Sequence, residues 1–152
     1  MKPYIYNCII KRVVDGDTID VDIDLGFDVW MKKKRVRVAG IDAPETRTKD
    51  PIEKAAGLYC KKRVIQLLPQ LSRTKLVVAT NKPDKYGRIL GDFAIAEESI
   101  PDEIHWYCND NPTLTEILLH ENLAVTYDGK SKEDIRDQHQ FNYNILLDNG
   151  LI

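Results

Sequence analysis

Thr18-Ile19-Asp20-Val21-Asp22-Ile23-Asp24-Leu25 is the stretch whose reading decides the fold. Ile19, Val21, Ile23 and Leu25 face one way, and Asp20, Asp22 and Asp24 face the other. A period of two is that of a strand with one buried and one wet face. These aspartates do not make an EF-hand loop, because Leu25 stands at its sixth position, where such a loop needs glycine.

Working outward, residues 4–14 are rich in Ile, Tyr and Val and predict a strand. Residues 26–34 read as a hairpin connection. Residues 35–41 alternate again, with Val36 and Val38 on one face and Arg35 and Arg37 on the other. Two more strands are expected at 75–80 and 88–95, flanking 81–87. A helix begins where Asp50, Pro51 and Glu53 fill the N-cap, N1 and N3 positions of a capping box. Ala56, Cys60, Val64, Leu67 and Leu71 give it an apolar stripe, and Pro69 should end or kink it. A second capping box, Thr113 with Glu116, opens a helix carrying Leu114, Ile117 and Leu118. A third helix is expected over 131–147, with Gly150 just beyond. Between them, 96–112 is irregular and holds Trp106 and Tyr107. Five strands with inserted and appended helices predict a five-stranded Greek-key barrel of the OB type, in one domain over residues 1–152.

Composition narrows the class. With 152 residues and 43% hydrophobic side chains, the chain can build a core without disulfide staples. Cys8, Cys60 and Cys108 form no C-x-x-C pair, so zinc-knuckle and thioredoxin-like motifs are excluded and reduced, mostly buried thiols are expected. No apolar run approaches the roughly 20 residues of a membrane span, and no signal peptide is read, so an intracellular, monomeric protein is expected. The formal charge of −2 argues against a nucleic-acid binder by its sum. Its distribution counts for more. Lys32, Lys33, Lys34, Arg35 and Arg37 are packed together, as are Lys61, Lys62 and Arg63. Each cluster is either a solvated face or a phosphate-facing one.

Three segments carry the chemistry: Asp15-Gly16-Asp17-Thr18, the run from Arg37 through Asp42 to Glu45, and Asp84-Lys85-Tyr86-Gly87-Arg88. Asp17 shares the parity of Ile19 and Val21, and Asp42 that of Val36 and Val38. Both should point inward at the ends of their strands. Converging carboxylates repel and lose hydration unless a cation neutralises them. With hard oxygen ligands and no His or Cys expected nearby, Ca²⁺ or Mg²⁺ is favoured over zinc. Read singly, Asp15-Gly16-Asp17 is an ordinary turn and Glu45 a loop carboxylate. Read together, Glu45 can orient or deprotonate a water. Arg37 and Arg88 offer planar forks for phosphate oxygens. Simple alternation places Arg37 opposite Asp42, so a bulge near Gly40 is needed to reconcile them. Lys85, Tyr86 and Gly87 read as a tight turn, or as a cation and a hydroxyl that grip phosphate.

In order and spacing, D-G-D-T, R-V-A-G-I-D-A-P-E, D-K-Y-G-R and the later Leu123-Ala124 with Tyr127 resemble the staphylococcal nuclease (thermonuclease) family. The resemblance covers nearly the whole chain. It implies an OB-fold barrel with three helices and Ca²⁺-dependent endonucleolytic cleavage of DNA and RNA at the P–O5′ bond, leaving 3′-phosphate ends. Carried over by position, it implies that Asp17, Asp42 and the Ala43 carbonyl ligate the metal, with Asp15 acting through water. Glu45 becomes the candidate general base, and Arg37 and Arg88 the phosphate clamp. Lys85 and Tyr86 touch a neighbouring phosphate, and Tyr127 lies under a base or phosphate. Two departures stand out: Ala43 replaces the family's threonine, and Gly129 stands where a second tyrosine is usual.

Two other classes fit parts of the sequence. A non-catalytic OB module binding single-stranded nucleic acid would use the basic clusters and aromatics, but has no need of Asp15, Asp17 and Asp42. A protein-interaction domain would expose Trp30, Trp106 and Tyr107 as a patch, whereas core packing is the expectation for the tryptophans.

Overall fold

The computed structural model describes residues 4–78, 82–96, 99–100, 112–129 and 131–152. Trp106, Tyr107 and Cys108 lie outside the described residues, as does most of the stretch 96–112.

The alternating stretch is a strand. β1 (Tyr4–Asp15), β2 (Thr18–Asp24) and β3 (Trp30–Val38) form an antiparallel meander. β4 (Ile41–Asp42) leaves it, helix α1 (Pro51–Leu67) follows, and β5 (Arg73–Val78) and β6 (Ile89–Phe93) complete a closed barrel in the order β1-β2-β3-β6-β5. The β3–β6 pair is parallel. Helix α2 (Leu114–His120), strand β7 (Val125–Thr126) and helix α3 (Glu133–Asp148) complete the described elements. This is the expected five-stranded OB barrel with three helices.

Ile19, Val21 and Ile23 of β2 are buried in the barrel. Full burial of such side chains is worth about 1.5–3 kcal/mol each. A one-residue slip would turn all three outward, so this inner face sets the register. The acidic face departs from expectation at one point. Asp22 is only 4% exposed. The β2–β3 register shifts between Val21 and Ile23, and Lys33 takes φ 52° in that bulge. The Lys33 N–H donates to Asp22 Oδ1 at 2.8 Å, while Lys32 and Lys11 place ammonium groups 3.5 and 3.7 Å from Oδ2. Leu25, expected on the inner face, is exposed because β2 ends at Asp24.

Asp50 caps α1 by accepting from the N–H groups of Ile52 and Glu53. The reciprocal half of the box is made differently: Thr48 Oγ1 donates to Glu53 Oε2 and accepts from the Asp50 N–H. Ala56, Cys60, Val64 and Leu67 form the buried stripe against β1. Leu71, assigned to that stripe, is instead 63% exposed in the turn after the helix, at φ 66°. The Thr113–Glu116 box is complete in both directions. Helix α3 starts two residues later than expected, after Lys132. Cys8 and Cys60 are buried free thiols, and burial pushes the Cys8 thiol up to about 12 despite a backbone hydrogen bond with Thr74.

The two-residue pair β4–β7 was not foreseen. Ile41 opposes Thr126 and Asp42 opposes Val125. Two residues carry no detectable period, yet this pairing holds the second acidic segment in place.

Candidate functional site

At one rim of the barrel, β1 ends at Asp15 and β2 begins at Thr18, joined by Gly16 and Asp17. Thr18 pairs with Arg37, and the Val38 N–H donates to the Asp17 carbonyl at 2.8 Å. The end of β3 therefore lies beside the first acidic turn. Parallel pairing of Val36 with Ile89 brings Arg88 to the same rim.

Arg37 and Asp42 meet without the bulge expected near Gly40. β3 stops at Val38, the chain turns through Ala39 and Gly40, and Gly40 takes φ +82°, which favours glycine. β4 then runs off to β7 as a separate strand. The turn brings Asp42 back under the Arg37 side chain. Arg37 Nη2 lies 3.4 Å from Asp42 Oδ1 and 3.4 Å from Asp17 Oδ2. Its Nη1 donates to the Val38 carbonyl at 2.8 Å.

Each carboxylate is oriented from behind. Asp17 Oδ2 accepts the Ala43 N–H at 2.9 Å. Asp42 Oδ2 lies 2.9 Å from His139 Nε2 on α3, while Oδ1 faces Lys132 at 3.6 Å as well as Arg37. Burial alone would raise the Asp42 carboxyl. The His139 hydrogen bond and the charges of Lys132, His139 and Arg37 together outweigh it and hold the group below the usual aspartate value. Asp15 turns aside and accepts from Thr46 Oγ1 at 2.5 Å. Glu45 is half exposed, with Lys132 Nζ 3.9 Å away. Its carboxyl is pushed up, first by desolvation and then by the charges of Asp17, Asp15 and Asp42, against the opposing pull of Lys132.

The opposite wall is a tight loop organised by Asp84. Its Oδ1 accepts from the N–H groups of Tyr86 and Arg88 at 2.9 and 2.8 Å, and its Oδ2 from Arg88 Nε at 2.8 Å. Among the described residues the terminal nitrogens of Arg88 have no hydrogen-bond partner. Lys85 Nζ and Arg88 Cζ each lie 5.1 Å from the Tyr86 ring centroid.

Nine of the ten residues singled out from the sequence line one open cleft of about 520 Å³: Asp15, Asp17, Arg37, Asp42, Glu45, Lys85, Tyr86, Arg88 and Tyr127. Ala43 sits behind it, buried, with its N–H engaged by Asp17. Two neighbours escaped the sequence reading, Lys132 and His139, and His139 at 2.9 Å from Asp42 corrects the expectation that no His lies nearby; Asp84, quoted there within its segment, was given no role. His139 had a signal, since it falls on the buried stripe of α3 with Ile135, Asn142, Tyr143 and Leu146. Asp84 had one too, as an Asx-type acceptor before a glycine turn. Lys132 had none.

Helix α1 presses on both acidic segments. A Cβ on Gly57 would come 2.5 Å from the Glu45 carbonyl oxygen, and one on Gly16 would come 2.4 Å from Cys60 Sγ.

The donor set suits a hard divalent cation. Asp17 and Asp42 already share one positively charged nitrogen, and the surplus negative charge is felt by Glu45. Among the described residues no three His, Cys, Asp or Glu side chains converge on one point. Two carboxylates, with backbone carbonyl and water completing the shell, are the ligands on offer. Among the same residues, no helix is long and apolar enough to cross a membrane.

Comparison with known proteins bears on two of the three segments, the one from Arg37 to Glu45 and the one from Asp84 to Arg88. A protein named thermonuclease from Staphylococcus intermedius is 37% identical over 94 residues, covering 59% of this chain and 49% of its own length. One named micrococcal nuclease from Shigella flexneri is 35% identical over 82 residues, covering 54% of this chain and 38% of its own. The chain thus spans about half or less of these relatives. The family described as staphylococcal nuclease homologue matches residues 35–145, which include Arg37, Asp42, Glu45 and Arg88. With most of its length covered by that match, the chain belongs to the staphylococcal nuclease family.

Proposed function

We propose that the chain is a metal-dependent phosphodiesterase, a nuclease that cleaves DNA or RNA internally, prefers Ca²⁺ with Mg²⁺ as second choice, and leaves 3′-phosphate ends. The observation that carries this reading is the pairing of Asp17 and Asp42 about one atom, Arg37 Nη2, in a cleft whose far wall presents Arg88. A module that only binds nucleic acid has no use for two carboxylates brought together in its cleft.

Asp17, Asp42 and the Ala43 carbonyl would hold the ion, with Asp15 acting through water. When bound, the cation supplies charge neutralisation and Lewis acidity at a phosphoryl oxygen. The chain's own side chains do the rest. Glu45, made more basic by its surroundings, takes the proton of a water attacking phosphorus. The bond from phosphorus to O5′ breaks, the departing O5′ takes a proton from solvent water to become a hydroxyl, and the phosphate stays on the 3′ oxygen. Arg37 and Arg88 hold the growing charge on the equatorial oxygens. Lys85 and Tyr86 grip the neighbouring phosphate, and Tyr127 lies under the adjoining nucleotide.

The test is incubation of purified protein with single- and double-stranded DNA and RNA, in Ca²⁺, Mg²⁺ or EDTA, with end-group analysis. Arg88→Ala, prepared identically, controls for contaminating nucleases. Cleavage that needs a divalent ion, leaves 3′-phosphates and disappears in the variant is expected. Retardation of oligonucleotide without products would replace this reading with the binding module.

A further inference from the structure

The β2–β3 hairpin carries a surface that the cleft does not use. In a chain of net charge −2, five cations sit within positions 32–37: Lys32, Lys33, Lys34, Arg35 and Arg37. Asp20 neutralises Arg35 through two hydrogen bonds, and Arg37 belongs to the cleft. Lys33 and Lys34 are exposed and meet no carboxylate within 4 Å among the described residues.

The apolar content of the hairpin is as unusual. Phe27 is 102% exposed at its tip, at φ 56°, followed by Asp28 at φ 62°. Both lie in the left-handed region, where turns ordinarily place Gly or Asn. Val29 is exposed, and Trp30 is half-buried with the Lys32 ammonium 5.0 Å from its ring centroid. Trp30 thus packs on the outside of the barrel instead of entering the core. It pairs with Asp24 on the face opposite Lys34, which leaves Phe27 as the free ring of the tip. An exposed ring with free ammonium groups on the same hairpin is what a single strand of nucleic acid can use, the ring for a base and the cations for phosphates.

The hairpin also connects physically to the cleft. Leu25, Met31 and Lys34 share an apolar groove of about 250 Å³ with Pro83 and Gly87. Gly87 belongs to the Asp84 loop, whose other side presents Arg88 to the cleft. From Thr18 at the cleft to Asp24 by the tip is seven residues, or about 20 Å of strand. A strand leaving the cleft over Gly87 therefore meets the groove, then Lys34, then the aromatic tip.

We infer that the β2–β3 hairpin, through Phe27 at its tip and Lys33 and Lys34 beside the groove, is a second binding surface for single-stranded nucleic acid, holding the part of a long substrate that runs on from the cleft. The inference rests on the nuclease reading only for its account of what lies in the cleft. A bilayer is the less suitable occupant, because Lys34 lies in a groove shared with Gly87, whose loop carries Arg88 into the cleft, and a chain running on from the cleft follows that groove whereas a flat membrane does not.

The test uses full-length protein and two variants outside the catalytic cleft, Phe27→Ser and the double variant Lys33→Glu/Lys34→Glu. Both change exposed side chains, and circular dichroism and melting check their folds. Binding of labelled dT3 and dT12 is followed by anisotropy in EDTA, and cleavage of both in Ca²⁺. Phe27→Ser should weaken dT12 binding by at least about five-fold, the low end for a lost stacked base, and the lysine variant by a similar factor at low salt through lost phosphate contacts. Each should leave dT3 cleavage unchanged, and the lysine variant should flatten the salt dependence of dT12 binding. Unchanged dT12 binding in both variants overturns the surface, even where cleavage is intact. Weakened dT12 binding in a protein that cleaves nothing upholds the surface and removes the nuclease. Sedimentation with phosphatidylserine vesicles that depends on Phe27, beside unaltered dT12 binding, assigns the face to lipid and overturns the inference.

Discussion

His139 Nε2 lies 2.9 Å from Asp42 Oδ2, across 97 residues of sequence. The far oxygen of Asp42 is thereby tied to helix α3, and only Oδ1 faces the cleft. Removing His139 leaves a buried carboxylate short of one partner, a loss of about 1–3 kcal/mol. His139→Ala should therefore melt several degrees lower, at roughly 2–4 °C per kcal/mol for a chain of this size. It should also bind Ca²⁺ more weakly by calorimetry. His139→Gln, which keeps an N–H donor, should recover part of both. Calcium affinity equal to wild type in His139→Ala would show that the contact supports the fold alone.

Arg88 and Glu45 sit on opposite walls, and neither belongs to the hydrophobic core. Arg88→Ala and Glu45→Ala should each lower kcat by about 10²–10³-fold and leave the melting temperature within a few degrees of wild type. Near wild-type turnover in both would remove the proposed roles.

Asp84 holds Arg88 by its Nε and its backbone N–H. Asp84→Ala frees the guanidinium from its fixed direction. Misplacement of a positioning group by about 1 Å can cost on the order of 10²-fold. The expected outcome is a fall in kcat toward that size, smaller than for Arg88→Ala, with added guanidinium giving no rescue. A normal kcat would mean that the Gly87 turn alone sets Arg88.

Gly57 sits inside α1, where alanine ordinarily stabilises a helix by up to about 1 kcal/mol. Here the new methyl would strike the backbone of Pro44 and Glu45. Gly57→Ala should therefore melt lower than wild type and lose turnover, because the loop carrying Glu45 must move. A raised melting temperature with full activity would contradict the close approach.

Asp22 supplies the pH test. Burial works to raise its carboxyl, but the Lys33 N–H and the Lys32 and Lys11 ammonium groups together bring it below the usual 3.8. A depressed folded-state pKa stabilises the fold above the unfolded value and is lost as pH falls through the folded value. Asp22→Asn should be less stable than wild type at neutral pH. The gap should close as acid protonates Asp22 below the ordinary carboxylate range. Melting curves at a series of pH values check this, and a gap that stays constant into strong acid would count against it.

The legible parts of this molecule are those with a period or a fixed local chemistry. The alternation of Ile19, Val21 and Ile23, the stripe of Ala56, Cys60, Val64 and Leu67, and the caps at Asp50 and Thr113 are local signals, and each has its counterpart in the structure. What escaped is non-local or irregular. The Lys33 bulge buries an aspartate that alternation placed in water. The β4–β7 pair is too short to show a pattern, and the approach of His139 and Lys132 to Asp42 depends on how α3 docks. Within the cleft, residue types were readable, while the partners that aim them came from elements remote in sequence.

The β4–β7 pair has a consequence in time. Asp42 leaves the ribosome early, but the strand that pins it ends at Thr126 and the imidazole behind it arrives at position 139. A strand cannot pair before its partner has been synthesised, so the partners of the β1–β2–β3 meander are all available before those that brace the acidic pair. An acidic pair built this way is braced only once helix α3 has been made.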